Sequence, residues 1–472
     1  MSSSPDLPRP ASALFPSRAE RECLDDFLTR ELPRVNARIA QGSVIPTIDL
    51  GGFKRELAAF DFHSPRPLAD LLAWSIAQME RGIVHMTHPR YFGLFNPAPT
   101  FPAECADRIV GAFNPQLATW TSAPAAVEIE AHVVRAVAIR AGLPADAVGH
   151  CTSGGSEANR TALLCALTRA SPQFSVDGAR AFPGAPVFYI SKESHLAWLK
   201  IAHETGLGRA AARLVPTDGA GRMDVRALSN EIAADKARGL RPVMIVATAG
   251  TTNAGMIDPL GPCALTARSS GLWYHVDAAW GGALIASDKL RSALCGIEQA
   301  DSITIDAHKW FATTMGCGMF MTRHAPMLSS VFHVSTTFMP SNIVNLDPYV
   351  TTAQWSRRFL GLRLFLSLAA AGWRGYAQHV ERSIELMALL QEKLVATGWH
   401  IANDSSLAVL CVEPPPELGQ ARAVAQRLTA SGRAWVAAAK LEGRDIIRIC
   451  LTHGEASAED ILELANALND RH

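Results

Sequence analysis

The sequence has no excess of charge, no paired cysteines, few aromatic residues and no apolar run of membrane length. Its 44 basic and 44 acidic residues cancel, which removes any general electrostatic attraction to nucleic acid or to an anionic membrane surface. The nine cysteines never form CxxC pairs. Cys165, Cys411 and Cys450 sit in apolar runs, where a free thiol behaves as a small hydrophobe. Neither a disulfide framework nor a metal site is indicated. The N-terminal stretch MSSSPDLPRPASALFPS has no basic segment followed by an apolar one, and no uncharged apolar span is long enough to cross a bilayer. The expected location is the cytoplasm. No internal repeat or low-complexity tract is visible.

What remains is the profile of a large soluble globular chain: 472 residues, 48% hydrophobic and 19% charged, enough for two or three domains. The first ~17 residues, rich in Ser and Pro, are expected to be disordered. They begin an N-terminal arm of helices over residues 1–90, interrupted by QGSVIPTIDLGGF. Between about residues 145 and 325, apolar runs (PVFYIS, RPVMIVATAG, LWYHVDAA, SITIDA, GCGMFMTR) alternate with helix-length segments such as SEANRTALLCALTRA. Alternation of this kind specifies an α/β domain with a mostly parallel sheet, assigned to residues 91–360. Residues 361–472 read as a small α+β domain: the helix AQHVERSIELMALLQEKLVATG, strands SLAVLCVE and DIIRICLTHG, and a last helix EDILELANALN.

Chemistry gathers where strands of the large sheet should end. In "TIDAHKW", Lys309 follows an apolar run. Burial would depress its ammonium and make the amine a nucleophile of the Schiff-base type, although a lysine after a strand is commonly a surface residue with a buried stem. In CTSGGSEAN, a glycine-containing turn enters a helix and leaves N–H groups free for a phosphate; an ordinary capped helix entry is the alternative. In HVDAAWGG, Asp277 closes a strand, where a protonated pyridine nitrogen would keep it charged and small Ala279 would let a flat ring lie close. A helix-capping aspartate is the competing explanation. In SKESH, His195 can stack on a ring or move a proton near neutral pH, or be a plain loop histidine. A phosphate cradle, a ring-nitrogen partner, a stacking group and an amine nucleophile together describe a covalent pyridoxal 5'-phosphate site.

In order and spacing, TSGGSEAN, SKESH, HVDAAWGG and DAHKW resemble the pyridoxal-phosphate-dependent amino acid decarboxylases, the family of glutamate and aromatic amino acid decarboxylases with an aspartate-aminotransferase-type fold. The resemblance runs from about residue 85 to the end of the chain and implies a seven-stranded, mostly parallel sheet. It also implies roles. Lys309 holds the cofactor aldehyde, Asp277 the ring nitrogen, and Ala279 and His195 the two ring faces. Gly155, Ser156 and His308 contact the phosphate, and Thr252 lies near the cofactor. It implies a homodimer with shared active sites, and loss of carbon dioxide from an amino acid substrate.

Two features bear on product and substrate. Counting without gaps from Lys309, the family's proton-donating loop tyrosine falls on Phe338, which cannot donate a proton. Phenylalanine there resembles the aldehyde synthases, in which dioxygen consumes the carbanion, or points to transamination. Alternatively Phe338 only packs, and His195 or a water completes ordinary amine formation, which is the expected reaction. In HPRYFGLFNP, Leu94 occupies the place where glutamate decarboxylases carry a glutamine, so an acidic substrate is disfavoured. Leu94 and Phe95 suit an aromatic or apolar side chain, or else pack in the core, with Asn96 as a polar handle. Arg448 resembles the small-domain arginine that can hold a substrate carboxylate, with Arg357 and Arg358 as competitors; each has an interdomain ion pair as its alternative.

Overall fold

The computed structural model describes residues 14–334 and 347–470. Most of the ~17 residues expected to be disordered, and Phe338, lie outside the described residues. Ser17 lies within them and caps the first helix, its Oγ accepting from the Glu20 N–H at 3.3 Å.

The large sheet contains β1 (Val148–Thr152), β2 (Pro186–Ser191), β3 (Ala212–Val215), β4 (Arg241–Thr248), β5 (Trp273–Asp277), β6 (Ser302–Asp306) and β7 (Gly318–Thr322) in the order β1-β7-β6-β5-β4-β2-β3. Strands β2 to β6 are parallel where they pair. Only β7 is reversed, between β1 and β6. Because it is antiparallel to both, β1 and β6 point the same way. The carboxyl ends of β1, β2, β4, β5 and β6 therefore share one edge, where open α/β sheets build their sites. Five of these strands carry the apolar runs read from the sequence. β1 (VGHCT) and β3 (ARLV) have no such run and were not foreseen.

Side chains alternate across the sheet with period two. Phe188, Ile190, Met244, Val246, Trp273 and Phe320 pack on one face against helices Gly155–Ala170 and Ala197–Glu204. Tyr189, Ile245, Ala247, Tyr274, Val276, Ile303, Ile305, Met319 and Met321 belong to the core on the other face, with side chains of helices Pro124–Arg140, Val225–Ala237, Leu260–Ser270 and Gly361–Ala396. Burial on both faces explains why these strands are continuous apolar runs.

The N-terminal segment forms helices Arg18–Gln41, Leu50–Ala58 and Leu68–Gly82. The helix Gly361–Ala396, broken at Gly372, where φ is 64°, leads to a four-stranded antiparallel sheet. That sheet consists of β8 (His400–Ile401), β9 (Val409–Glu413), β10 (Ala437–Leu441) and β11 (Arg444–Cys450), in the order β10-β11-β9-β8. Residues 91–96 join the two sheets' territories. The Phe92 N–H donates to the Trp435 carbonyl at 2.8 Å, and the Cys450 N–H to the Phe92 carbonyl at 2.7 Å. A Cβ on Gly93 would stand 2.0 Å from the Trp435 ring, so only glycine permits this approach. No helix among the described residues is long and apolar enough to cross a membrane.

At Gly149 in β1, a Cβ would stand 2.0 Å from the Phe320 carbonyl oxygen of β7. Gly149→Ala should cost on the order of 1–3 kcal/mol through overpacking and lower the thermal midpoint by several degrees; an unchanged midpoint would mean the two strands yield there freely.

Candidate active site

The shared edge of the sheet opens into a cavity of about 350 Å³. Gly155, Ser156, His195, Thr252, Asp277, Ala279, His308 and Lys309 line it, as do Phe95 and Asn96. Leu94, Arg357, Arg358 and Arg448 are not among its lining residues.

The turn after β1 enters helix Gly155–Ala170 with no side chain capping it, so its first N–H groups and positive dipole end are open to an anion. Glu157 ties the turn down, its Oε2 accepting from the Ser153 N–H at 2.8 Å and Oγ at 2.7 Å while Gln354 Nε2 donates to Oε1 at 2.9 Å. Gly155 has to be small, because a Cβ there would stand 2.9 Å from Asp306 Oδ2.

Asp306 ends β6, and its Oδ2 lies 3.1 Å from Lys309 Nζ. The turn between them is closed by the Lys309 N–H donating to the Asp306 carbonyl at 3.1 Å. The lysine side chain is 22% exposed and the aspartate 4%, so the amine stands at the cavity wall beside a buried carboxylate. His308 is buried, and its Nδ1 is engaged by the Cys317 main chain at 3.0 and 3.2 Å. Burial pushes its imidazole below the usual histidine range. Its Cε1 would lie 3.6 Å from a Cβ on Gly154, beside the turn that enters helix Gly155–Ala170.

Asp277, 5% exposed, ends β5. Its Oδ2 accepts from Asn159 Nδ2 at 2.7 Å and from Trp198 Nε1 at 3.3 Å, and among the described residues its Oδ1 accepts only from the Ala279 N–H, at 3.2 Å. Oδ1 is thus the oxygen with more acceptor capacity to spare. His195 follows β2 in a loop pinned by Ser194 Oγ to Thr248 Oγ1 at 2.8 Å, and its Nδ1 accepts from the Ala197 N–H at 3.1 Å.

Three of the candidate substrate residues are engaged by protein groups. Asn96 Nδ2 donates to the His308 carbonyl at 3.3 Å and toward Met315 Sδ at 3.2 Å. Arg448 donates from Nη1 to the Thr252 carbonyl at 3.0 Å and from Nη2 to the Gly93 carbonyl at 2.9 Å, and its guanidinium lies 5.6 Å from the Phe95 ring centre. Arg357 forms a buried ion pair with Glu130, and Glu130 Oε1 also accepts from the Cys151 N–H of β1 at 3.2 Å. Leu94 is 40% exposed. Sequence reasoning missed Asn159, Trp198, Asp306, Trp280 and Met315. Asn159 lies inside the quoted motif GGSEAN, one helical turn after Gly155, and that spacing was the available signal.

The donor set matches what pyridoxal 5'-phosphate requires: an open helix terminus for the phosphate, a carboxylate with a free acceptor site for the ring nitrogen, a small residue beside it for the ring, and a primary amine for the aldehyde. A sequence profile described as "Pyridoxal-dependent decarboxylase conserved domain" matches residues 63–413, well over half of the 472-residue chain. The chain belongs to the pyridoxal-dependent decarboxylase family. It is 27% identical over 396 residues to the aromatic-L-amino-acid decarboxylase of Bacillus atrophaeus, covering 81% of each chain. It is 35% identical over 295 residues to the L-2,4-diaminobutyrate decarboxylase of Rhizobium meliloti, covering 61% of this chain and 57% of that one. The crystal structure of mouse CSAD superposes with a TM-score of 0.89 at 25% identity, covering 96% of this chain and 98% of that one. As a member of this family the protein is a carboxy-lyase that uses pyridoxal 5'-phosphate to decarboxylate an amino acid.

Lys309→Ala should abolish the yellow absorbance of the cofactor-loaded protein, because the imine chromophore needs a primary amine; a variant that stays yellow after dialysis would displace Lys309 as the anchor.

Proposed function

We propose that the protein decarboxylates an L-amino acid with an aromatic or apolar side chain to the corresponding amine. The observation that carries this reading is the cavity wall. Phe95 packs on Trp280 with ring centres 4.6 Å apart, Met315 lines the same cavity, and the Asn96 amide nitrogen is engaged by protein acceptors. Among the described lining residues no arginine, and no lysine besides Lys309, is present to receive an acidic side chain. The aromatic substrate class of the Bacillus atrophaeus relative supports the same choice.

In this reading Lys309 Nζ holds the cofactor aldehyde, and the Asp306 carboxylate 3.1 Å away keeps the amine in place whenever it is free. Gly155, Ser156 and His308 take the phosphate, Ala279 and His195 flank the ring, Thr252 lies beside it, and Asp277 Oδ1 receives the proton-bearing ring nitrogen. When bound, the pyridinium ring supplies an electron sink for the pair left as carbon dioxide departs. Phe95 and Trp280 exclude water from the face where the substrate side chain rests. Arg448, whose guanidinium lies 5.6 Å from the Phe95 ring centre, is the candidate for the substrate carboxylate. Arg357, paired with Glu130, would act on the structure of β1 instead.

A homodimer with shared active sites fits the exposure of apolar side chains along the arm and its neighbour helix, including Phe15 at 62%, Phe62 at 94%, Phe101 at 71% and Phe113 at 81%. A cytoplasmic location remains part of the proposal.

The second reading, decarboxylation with oxidative deamination to an aldehyde or leakage to transamination, rests on Phe338 in register with the family's loop tyrosine, outside the described residues. Supplied with aromatic, aliphatic, acidic and 2,4-diamino L-amino acids, the loaded enzyme should release amine and carbon dioxide fastest from an aromatic or apolar substrate. Preference for an acidic or diamino acid would overturn the substrate class, and aldehyde with peroxide would overturn amine formation. If residue 338 governs proton delivery, Phe338→Tyr should raise the amine share of products at least several-fold wherever carbonyl product is detected; an unchanged ratio would remove it from that role.

A further inference from the structure

Trp273, His275 and Asp277 alternate along β5 and so project from the same face of the sheet. The register sets His275 beside Ser302 and Asp277 beside Thr304 of β6, and helix Gly155–Ala170 lays Asn159 across that face. The result is a continuous chain of side chains. Trp273 Nε1 meets Ser302 Oγ at 2.8 Å, Ser302 Oγ meets His275 Nδ1 at 2.8 Å, His275 Nε2 meets Asn159 Oδ1 at 3.1 Å, and Asn159 Nδ2 meets Asp277 Oδ2 at 2.7 Å. None of the five is more than 5% exposed.

The two ends fix the direction of the outer bonds. An indole N–H only donates and a carboxylate only accepts. Asn159 must present its amide nitrogen to Asp277, so its oxygen faces His275 and requires a proton on Nε2. Thr304 Oγ1, 3.4 Å from that nitrogen, is at most a secondary acceptor. Burial pushes the His275 imidazole down to about 4 against the opposing pull of Asp277, so the ring is neutral and its Nδ1 is bare. Ser302 then gives its own hydrogen to Nδ1 and accepts from Trp273. All four dipoles point their positive ends toward Asp277, and bonds aligned this way reinforce one another in a dry interior.

We propose that His275 and Asn159 are positioning residues that hold the Asp277 carboxylate in orientation, with Oδ2 occupied and Oδ1 turned to the cofactor ring nitrogen. The inference rests on the reading of Asp277 as the ring-nitrogen partner. A cation in place of His275 would compete with the pyridinium for the carboxylate. A neutral, tautomer-locked chain stabilises the carboxylate without offering a rival positive charge.

The test compares the affinity of the apoenzyme for pyridoxal phosphate with that for the analogue carrying CH in place of the ring nitrogen, by absorbance or fluorescence titration. His275→Phe should weaken pyridoxal phosphate about tenfold, the scale on which removing the support of a ligating side chain acts. Binding of the analogue, which makes no contact through a ring nitrogen, should be unchanged. His275→Gln, which keeps a donor facing Asn159, should recover most of the loss. Equal weakening of both cofactors, or none, would overturn the proposal as mere packing or irrelevance. Asn159→Leu and Ser302→Ala carry the same comparison if His275→Phe does not fold. Asp277→Asn separates the two levels of the argument. If it fails to discriminate between the cofactors, the assignment of Asp277 itself falls. If it discriminates and His275→Phe does not, only the role of the chain behind it falls.

Discussion

A carboxylate that is 5% exposed has to be met by donors, because unpaired charge in a protein interior costs more than a fold can spare. Asp277 meets that demand through elements that are far apart in sequence. The helix after β1 brings Asn159, the loop and helix after β2 bring Trp198, and the turn after β5 brings the Ala279 N–H. Only a sheet whose parallel strands end on one edge lets these three arrive together, and the cofactor site is the space they leave.

The helix Gly155–Ala170 does two jobs with one turn of backbone. Its uncapped first residues line the cavity, and Asn159, one turn later, grips the Asp277 carboxylate in the same cavity. The spacing between the open helix terminus and the Asp277 carboxylate is therefore set by a rigid element rather than by a loop. The opposite corner is built on β6. Its terminal Asp306 stands against Gly155, Gly318 and Lys309 so tightly that a Cβ on either glycine would come within 3.0 Å of the carboxylate. Glu130 and Arg357 support the same corner from behind, holding the main chain of β1 at Cys151. Arg448 straps the loop after β4 to residues 91–96, which is how the small sheet reaches the cavity without lining it.

Much of this was legible because the sheet is buried on both faces. That condition turns β2, β4, β5, β6 and β7 into contiguous apolar runs, and it puts the chemical residues in the short polar stretches that follow them. Lys309, Asp277, His195 and the Gly155-Ser156 turn were readable for that reason, and they line one cavity. β1 escaped notice because its glycine and histidine break the pattern. Gly149 is needed for close approach to β7, and His150 is buried without being apolar. The two arginines were not separable from sequence: Arg357 has an acidic partner on a helix over 200 residues earlier in the chain, and Arg448 has two carbonyls from different segments.

By itself the sequence determined the alternation of strand and helix and the residue types of a cofactor site, since both are local: periodicity follows from burial, and an amine, a carboxylate and a glycine turn are what they are wherever they fold. Tertiary structure alone decided which of these groups face one another. It gave Asp277 its neutral donors, gave Lys309 a carboxylate at 3.1 Å, tied the Asn96 amide nitrogen to the His308 carbonyl and committed Arg357 to Glu130. Contact between distant segments depends on strand order and on which face each residue takes, and neither is encoded in any short stretch of the chain.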